Sequence, residues 1–244
     1  MHAPIARTLL MGWLASVAFQ HVDAGAEWRP GSPADRAFQF FASFSAPHVD
    51  VGGTLEAIRP LPIGVHEKRR VLLALPSEGE LRPTDEEAAK LTSLQKVLIY
   101  HHRYQVFDLK VVDVPHAAVA LYARAVLLFS RPALRLLSAA ELQAMVAHEA
   151  GHEYFWSEYE AVRRRGDARA RQELELRCDG IAVLTLLELG LDPAAVSSAT
   201  EKLTRFNEQF GANPNDQLYP TMDERAQFVR ALARARAGVG SRHR

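Results

Sequence analysis

The stretch ELQAMVAHEAGHEYFW, residues 141–156, places His148 and His152 four positions apart, with Glu149 directly after the first histidine. Ser138 stands three positions before the stretch and forms a capping box with its first glutamate. The stretch contains no proline, and its apolar residues recur at helical spacing. These features predict a helix that begins at Ser138 and carries both histidines on one face.

Two histidines at this spacing can direct their imidazoles at a single metal ion. Zn²⁺ suits two nitrogens and a carboxylate, and a fourth position is then left for water. Glu149 lies about a quarter turn from His148, close to such a water without being a ligand, where a general base has to stand. The pattern predicts one zinc ion per chain, and the alternative is a pair of surface histidines.

A third ligand is offered by ELRCD, in which Glu175 and Asp179 share one face of a later predicted helix. Glu175 can complete a His-His-Glu set. Asp179 can accept a hydrogen bond from the outer nitrogen of His148 and fix its orientation. Glu173 is a rival ligand, but it lies on nearly the opposite face and has Arg177 as an ordinary partner at i+4.

The segments LLSAAELQAMVAHEAGHE and ELRCDGIAV together resemble the gluzincin metallopeptidases typified by the CAAX prenyl protease and the bacterial heat-shock membrane protease, metallopeptidase family forty-eight. The resemblance covers about residues 115–230. It implies an α+β, zincin-like (mini-gluzincin) domain, with a small sheet whose edge strand precedes the H-E-x-x-H helix, and a mostly helical C-terminal half. It also implies a zinc metalloendopeptidase whose peptide substrate binds along that edge strand, expected at 123–129.

Two departures from the family pattern concern the end of the site and the membrane. Several members carry a His-Pro element where this chain has Tyr219 before a proline, with Arg225 after it. Tyr219 and Arg225 are therefore candidate contacts to the oxyanion or the substrate. The multiple membrane spans of the best-known members are absent from the sequence, which favours a soluble, exported form.

The N-terminal segment is typical of an export signal. Arg7 precedes the apolar run 8–19, and AGA at 24–26 supplies a small-x-small cleavage pattern. We therefore expect a signal peptide at 1–26, a single peptidase domain at 27–244, and a periplasmic or extracellular protein without a stable membrane span after cleavage. The alternatives are a retained N-terminal anchor or a frayed helix. Cys178 is the only cysteine, so no internal disulfide is possible.

Local patterns outline the remaining elements. A lead-in with little regular structure is expected at 27–68, strands are expected at 70–76, at 106–112 and within 118–130, and a charged loop is expected at 163–170. Helices are predicted at 84–100, 171–190, from Asp192 to about Phe210, and from Thr221 onward.

Composition narrows the function classes. Lysine plus arginine equals aspartate plus glutamate, 29 each, which does not favour a nucleic-acid partner. His101 and His102 are adjacent, so their side chains diverge and a structural or surface role is expected for both. The zinc motif, the resemblance to the gluzincin family and the export signal together predict a zinc endopeptidase acting on exported or unfolded proteins. The alternative function is an exported zinc protein of the same fold that binds unfolded chains with little or no hydrolysis.

Overall fold

The computed structural model describes residues 28–42, 51–75, 80–210 and 216–240, and the expected signal peptide at 1–26 lies outside these ranges. It has an α+β fold in which helices predominate over a small sheet. The helices of the described residues are α1 (Pro33–Ala42), α2 (Val51–Ala57), α3 (Val65–Ala74), α4 (Asp85–Ser93), α5 (Gln95–Tyr100), α6 (Arg131–Leu136), α7 (Ala139–Tyr154), α8 (Trp156–Arg165), α9 (Ala168–Glu188), α10 (Ala194–Glu208) and α11 (Met222–Gly240).

The sheet combines parallel and antiparallel pairing. Its strands are β1 (Glu80–Leu81), β2 (Asp108–Val112), β3 (Val119–Tyr122) and β4 (Val126–Ser130), in the spatial order β1-β2-β4-β3. β2 and β4 are parallel, whereas β1 and β3 are antiparallel to their neighbours. β3 therefore forms one edge of the sheet, and this edge lies against α7, the helix that carries the two histidines.

The prediction that residues 123–129 form the edge strand is wrong. β4 occupies most of that range, but it lies inside the sheet between β2 and β3, and Val126 and Leu127 are completely buried. The chain reverses at Ala123 and Arg124, which have φ angles of 46° and 58°. Neither residue type signals a left-handed turn, so the sequence did not reveal that the edge is the preceding strand, β3.

Two other expectations about the N-terminal third are wrong. The lead-in at 27–68 is not irregular, because its described part contains α1, α2 and the start of α3. The apolar run at 70–76 is not a strand, because its described part ends α3, a helix with no buried residue. Leu73 is 77% exposed, so this apolar run does not pack against the sheet. Straight-chain residues before the run favour a helix, and the apolar cluster alone did not distinguish the two structures.

The charged segment at 163–170 is also not a loop. α8 continues to Arg165, Gly166 ends it with a φ of 65°, and Asp167 begins α9 by accepting a hydrogen bond from Ala170 N at 3.0 Å.

The rest of the helical pattern is confirmed. Ser138 caps α7 through a complete capping box, Thr84 does the same for α4, and the 84–100 helix is interrupted only at Leu94.

The core is built around two buried helices, α7 and α9, which cross at close range. Gly151 of α7 makes this possible, because a Cβ atom there would stand 2.8 Å from the Cα of Cys178 on α9. On another side of α9, Gly180 leaves room for the ring of Phe41 from α1. Among the described residues no helix is long and apolar enough to cross a membrane.

Candidate metal centre

Three side chains from the two crossing helices converge on one point. His148 and His152 project from α7 and Glu175 projects from α9, and their nearest ligand atoms all lie within 4.8 Å of one another. His148 and Glu175 are 4% and 3% exposed, and their Nε2 and Oε2 atoms are 3.6 Å apart. His152 is only partly buried, and such a group of two imidazoles and a carboxylate can hold a metal ion.

Asp179 orients His148 as the sequence predicted. Its Oδ1 lies 2.8 Å from Nδ1 of His148, and Asp179 itself is fully buried. This contact occupies the outer nitrogen of His148 and leaves Nε2 directed toward Glu175. On the other histidine, Nδ1 of His152 lies 3.5 Å from the Cys178 sulfur. Residues of α9 thus contact the Nδ1 atom of both imidazoles, and the same helix supplies the carboxylate of Glu175.

Arg225 of α11 neutralises the carboxylates that face the histidines. Its guanidinium donates to both oxygens of Asp179, at 2.8 and 3.1 Å, and to Glu175 Oε2 at 3.1 Å. Arg225 is only 6% exposed, so this is a buried ionic group. The sequence named Arg225 as a candidate substrate contact. Since its guanidinium already binds two carboxylates, holding those carboxylates in place is a second possible role.

The charges around the site shift the pKa values of its members. Burial lowers the pKa of His148, but the hydrogen bond to Asp179 and the negative charges of Asp179 and Glu175 outweigh it and raise this pKa to about 10. Burial raises the pKa of Glu175, but its contact with His148 and the charges of His152 and Arg225 lower it well below the usual range. Burial also lowers the pKa of His152.

Glu149 contacts the edge strand. Its Oε2 accepts a hydrogen bond of 2.8 Å from the backbone N–H of Leu121 in β3. Glu149 is 7% exposed, yet it forms part of the wall of a cleft that also contains the two histidines. A carboxylate in this position can accept a proton from a group bound in the cleft.

The cleft has a volume of about 620 Å³ and runs between β3 and the C-terminal helices. Residues 117–121 form one wall, and α10 and α11 contribute to the opposite walls. Trp156 and Tyr159 border the cleft next to His152, and the rings of Tyr159 and His152 are 5.1 Å apart. Space for an extended ligand therefore lies directly beside the His-His-Glu group.

Tyr219 also borders the cleft, but its hydroxyl already has a partner. The Arg171 guanidinium donates to Tyr219 Oη at 2.8 Å and stacks over the rings of Tyr219 and Tyr159. Burial raises the pKa of Tyr159 to about 12, despite the nearby charge of Arg171. Sequence reasoning missed Arg171, because nothing in its local pattern distinguishes it from the other arginines of the segment.

Several residues set aside at the sequence level lie away from the site. Glu173, the rival ligand, pairs with Arg36 and Arg177 instead. His101 is buried between Tyr154 Oη and Thr185 Oγ1, at 3.1 and 3.0 Å, so its structural role is confirmed. His102 is exposed, as expected.

Asn207 of α10 is a further residue that the sequence did not single out. Its side-chain amide binds the backbone of Ala117 just before β3, accepting from Ala117 N at 2.8 Å and donating to Ala117 O at 2.9 Å. Both residues border the cleft. An asparagine inside a predicted helix carries no local sign of such a contact, since its partner is ninety positions away.

Comparisons with known proteins add no family assignment. No model of a known protein family matches the chain, and a search of curated proteins finds no match either.

Proposed function

We propose that this protein is a zinc-dependent metalloendopeptidase with a zincin-like fold of the mini-gluzincin type. Its substrates are exported or unfolded proteins, hydrolysed in the periplasm or outside the cell. The observation that carries the proposal is the convergence of His148, His152 and Glu175 within 4.8 Å, with Glu149 on the wall of the same cleft. This is the residue set of a gluzincin site, in the chain order expected for that family.

The donor set fits zinc. Two imidazole nitrogens and one carboxylate oxygen are the ligands of a catalytic zinc site, at metal distances of about 2.0–2.2 Å. Ligands of one tetrahedral ion at such distances lie about 3.3 Å apart. The 3.6 Å between His148 Nε2 and Glu175 Oε2 is close to that value and too long for a hydrogen bond. We infer that His148, His152 and Glu175 are the metal ligands.

The other residues have separate tasks in this proposal. A zinc ion held there supplies Lewis-acid chemistry, polarising a peptide carbonyl and acidifying a water molecule. Glu149 takes the proton of the attacking water and returns it to the leaving amine. Asp179 holds His148 through Nδ1, and Arg225 donates to Asp179 and favours the ionised form of Glu175 by its positive charge.

The substrate binds along β3. This strand forms the sheet edge beside Glu149, and its residues border the cleft. A polypeptide that adds to a sheet edge is held by main-chain hydrogen bonds, so its side-chain sequence matters little. Such binding requires an extended chain, which favours unfolded segments as substrates.

Glu149→Gln tests the proposal. The change keeps the size of the side chain but removes the base, so hydrolysis of an unfolded protein such as casein should fall by roughly two to four orders of magnitude. Bound zinc per chain, measured by atomic emission, should stay the same. Glu160→Gln serves as the control, because it removes a helical carboxylate outside the cleft wall.

Two results would count against the proposal. If the Glu149→Gln protein hydrolysed its substrate at the wild-type rate, Glu149 would not be the base. A wild-type protein that holds zinc and binds unfolded chains without cutting them would instead support the binding function, for which a carboxylate at position 149 has no chemical use.

A further inference from the structure

The turn between β3 and β4 has a backbone conformation that its residues do not favour. Ala123 and Arg124 have φ angles of 46° and 58°, in the left-handed region where glycine and asparagine are common. A residue that carries a Cβ atom adopts this region at an energetic cost, and it stays there only when the surrounding structure fixes it. Since Ala123 has no polar side chain, the contacts of Arg124 are the ones that can fix this turn.

Arg124 joins the turn to the end of α7. Its Nη2 donates to Glu153 Oε1 at 3.2 Å and also to the backbone oxygen of Leu61. The side chain of Glu153 is only 1% exposed and that of Arg124 is 25% exposed. Solvent therefore screens this ion pair much less than a pair on the surface, and its contribution is correspondingly larger.

Glu153 is held on its other oxygen by Arg103. Arg103 Nε donates to Glu153 Oε2 at 2.5 Å, and its Nη2 donates to Pro60 O at 2.6 Å. Each carboxylate oxygen thus has its own arginine, so Glu153 cannot rotate away from Arg124 without losing its bond to Arg103. The two guanidinium groups also offset the unfavourable position of a negative charge in the last turn of α7. Glu153 is therefore a fixed point to which the turn is attached.

α7 holds the β3 edge through two carboxylates that are one helical turn apart. Glu149 accepts from Leu121 N–H within the strand, and Glu153 accepts from Arg124 in the turn that follows it. No other hydrogen bond between described residues joins α7 to β3 or to this turn. Under the proposed function, a substrate that pairs with β3 competes with Glu149 for the N–H of Leu121. The bond between Glu153 and Arg124 is the one that a bound substrate leaves in place.

We infer that the ion pair of Arg124 and Glu153 holds the β3 edge in position against the metal ligands, which makes Arg124 a positioning residue for substrate binding. The inference rests on the proposed function and deepens it. Arg124 belongs neither to the His-His-Glu group nor to the wall of the cleft, so it acts through the strand. Its partner Glu153 follows His152 on α7, and a peptide added to the edge is thereby aligned with both histidines.

Arg124→Gly separates the ion pair from the shape of the turn. Glycine adopts a φ of 58° without strain, so the turn keeps its conformation while the guanidinium is lost. The KM for an unfolded peptide should rise about tenfold, the order expected for one hydrogen bond between charged groups. kcat should change far less, and bound zinc per chain should stay the same, because the base and the metal ligands are untouched.

Two further variants assign the effect to the ion pair. Ala123→Gly places a glycine in the same turn but keeps the ion pair, so it should retain the wild-type KM. Arg124→Lys keeps the positive charge but has a single nitrogen, which cannot bind Glu153 and Leu61 O in the same way as a guanidinium. Its KM should lie between those of the wild-type and Arg124→Gly proteins. Steady-state cleavage of one peptide by all four proteins measures these values.

A wild-type KM for the Arg124→Gly protein would overturn the inference. An equal rise of KM in the Ala123→Gly protein would also overturn it, because mobility of the turn would then be the cause. If Arg124→Gly does not fold, Arg124→Lys decides the question, and an unchanged KM in that protein would overturn the inference. All of these results leave the proposed peptidase intact, whereas failure of the wild-type protein to cut any peptide would overturn the proposed function.

Discussion

Asp179 links the helix on which it lies to two other helices. It lies on α9, contacts His148 of α7 at 2.8 Å and is bound by Arg225 of α11 at 2.8 Å. A fully buried carboxylate without such partners would carry a large desolvation cost. The same residue therefore links the orientation of a proposed metal ligand to the packing of the C-terminal helix.

Substitutions at Glu175 and Asp179 should differ in their effect on zinc. Glu175→Ala removes a proposed ligand, so zinc affinity should fall steeply and the zinc-dependent part of the stability should be lost. Asp179→Ala leaves all three ligands in place and should weaken zinc binding by roughly ten- to a hundredfold. Competition titration with a chelating dye measures both, with Glu173→Ala as the control, since Glu173 pairs with Arg36 and Arg177 away from the site. Equal zinc affinity in the Glu175→Ala and wild-type proteins would contradict the ligand assignment.

At the scale of elements, the site depends on how closely α7 approaches α9. Gly151 lies between His148 and His152, and its missing side chain allows the contact with Cys178. A larger residue at position 151 would push the histidines away from Glu175. The glycine of HEAGH thus has a packing role in addition to its place in the motif.

Gly151→Ala should therefore lower both stability and metal affinity. The added Cβ would meet the Cys178 Cα, a backbone atom that cannot rotate aside, so the helices must separate at a cost of about 1–3 kcal/mol. Gly64→Ala is the matched control, since a Cβ there meets nothing within 4 Å and the backbone has an ordinary φ of −64°. Thermal unfolding and zinc titration of both variants measure the difference. Equal melting temperatures for the two variants would contradict the close contact.

The start of α7 is tied to α10 through Glu141. Its carboxylate accepts from Ser198 Oγ at 2.6 Å and lies 2.8 Å from Lys202 Nζ, besides completing the capping box with Ser138. Burial raises the pKa of Glu141, but these hydrogen bonds outweigh it and lower the pKa to about 2. The contact keeps α10, which carries Asn207, against the helix that supplies both histidines of the candidate metal centre.

This pKa shift predicts a pH dependence of stability. Because the folded-state pKa lies below the usual 4.5, the contribution of Glu141 is fully present above pH 4.5 and is lost as the pH falls toward 2. Glu141→Gln should reduce the free energy of unfolding by about 2 kcal/mol at pH 7, a value that allows for solvent around the half-exposed Lys202. Urea titrations at a series of pH values measure the difference, which should shrink below pH 4.5. A difference that stays constant down to pH 2 would contradict the assignment.

For the molecule as a whole, sequence patterns predicted the features that are decided by residues close together in the chain. The capping boxes at Thr84, Ser138 and Thr221, and the placement of Glu175 and Asp179 on one face of α9, follow from helix geometry over three or four residues. The His-His-Glu group could be predicted because two helices each carry their part of it on one face.

The unpredicted features depend on distant partners. The Ala123–Arg124 turn lacks the residues that usually mark one, so the edge strand was misplaced. The contact of Asn207 with Ala117 crosses from helix to strand, and no local rule selects it. Glu153 follows His152 directly, yet its buried ion pair at 2.5 Å is with Arg103, fifty positions earlier. Contacts of this kind are decided by tertiary packing.

The export expectation concerns the whole chain and can be tested separately from catalysis. Removal of the predicted signal peptide should leave a mature protein that begins near Glu27. Intact-mass spectrometry of protein recovered from the periplasm or the medium measures this directly. Cytoplasmic protein that still carries Met1 and has full activity would contradict it.

The docking of α1 on α9 has a consequence for the order of folding. Phe41 contacts Gly180 across more than half of the chain, on the same helix that presents Glu175 and Asp179. Contacts between residues so distant in sequence close a long loop, and they form late because the entropy of that loop opposes them. A chain that emerges from its N terminus must therefore hold α1 without its partner until α9 has followed. Under the proposed function, the candidate metal centre is assembled only after α9 has been synthesised, so a nascent chain could not digest itself or its neighbours before that point.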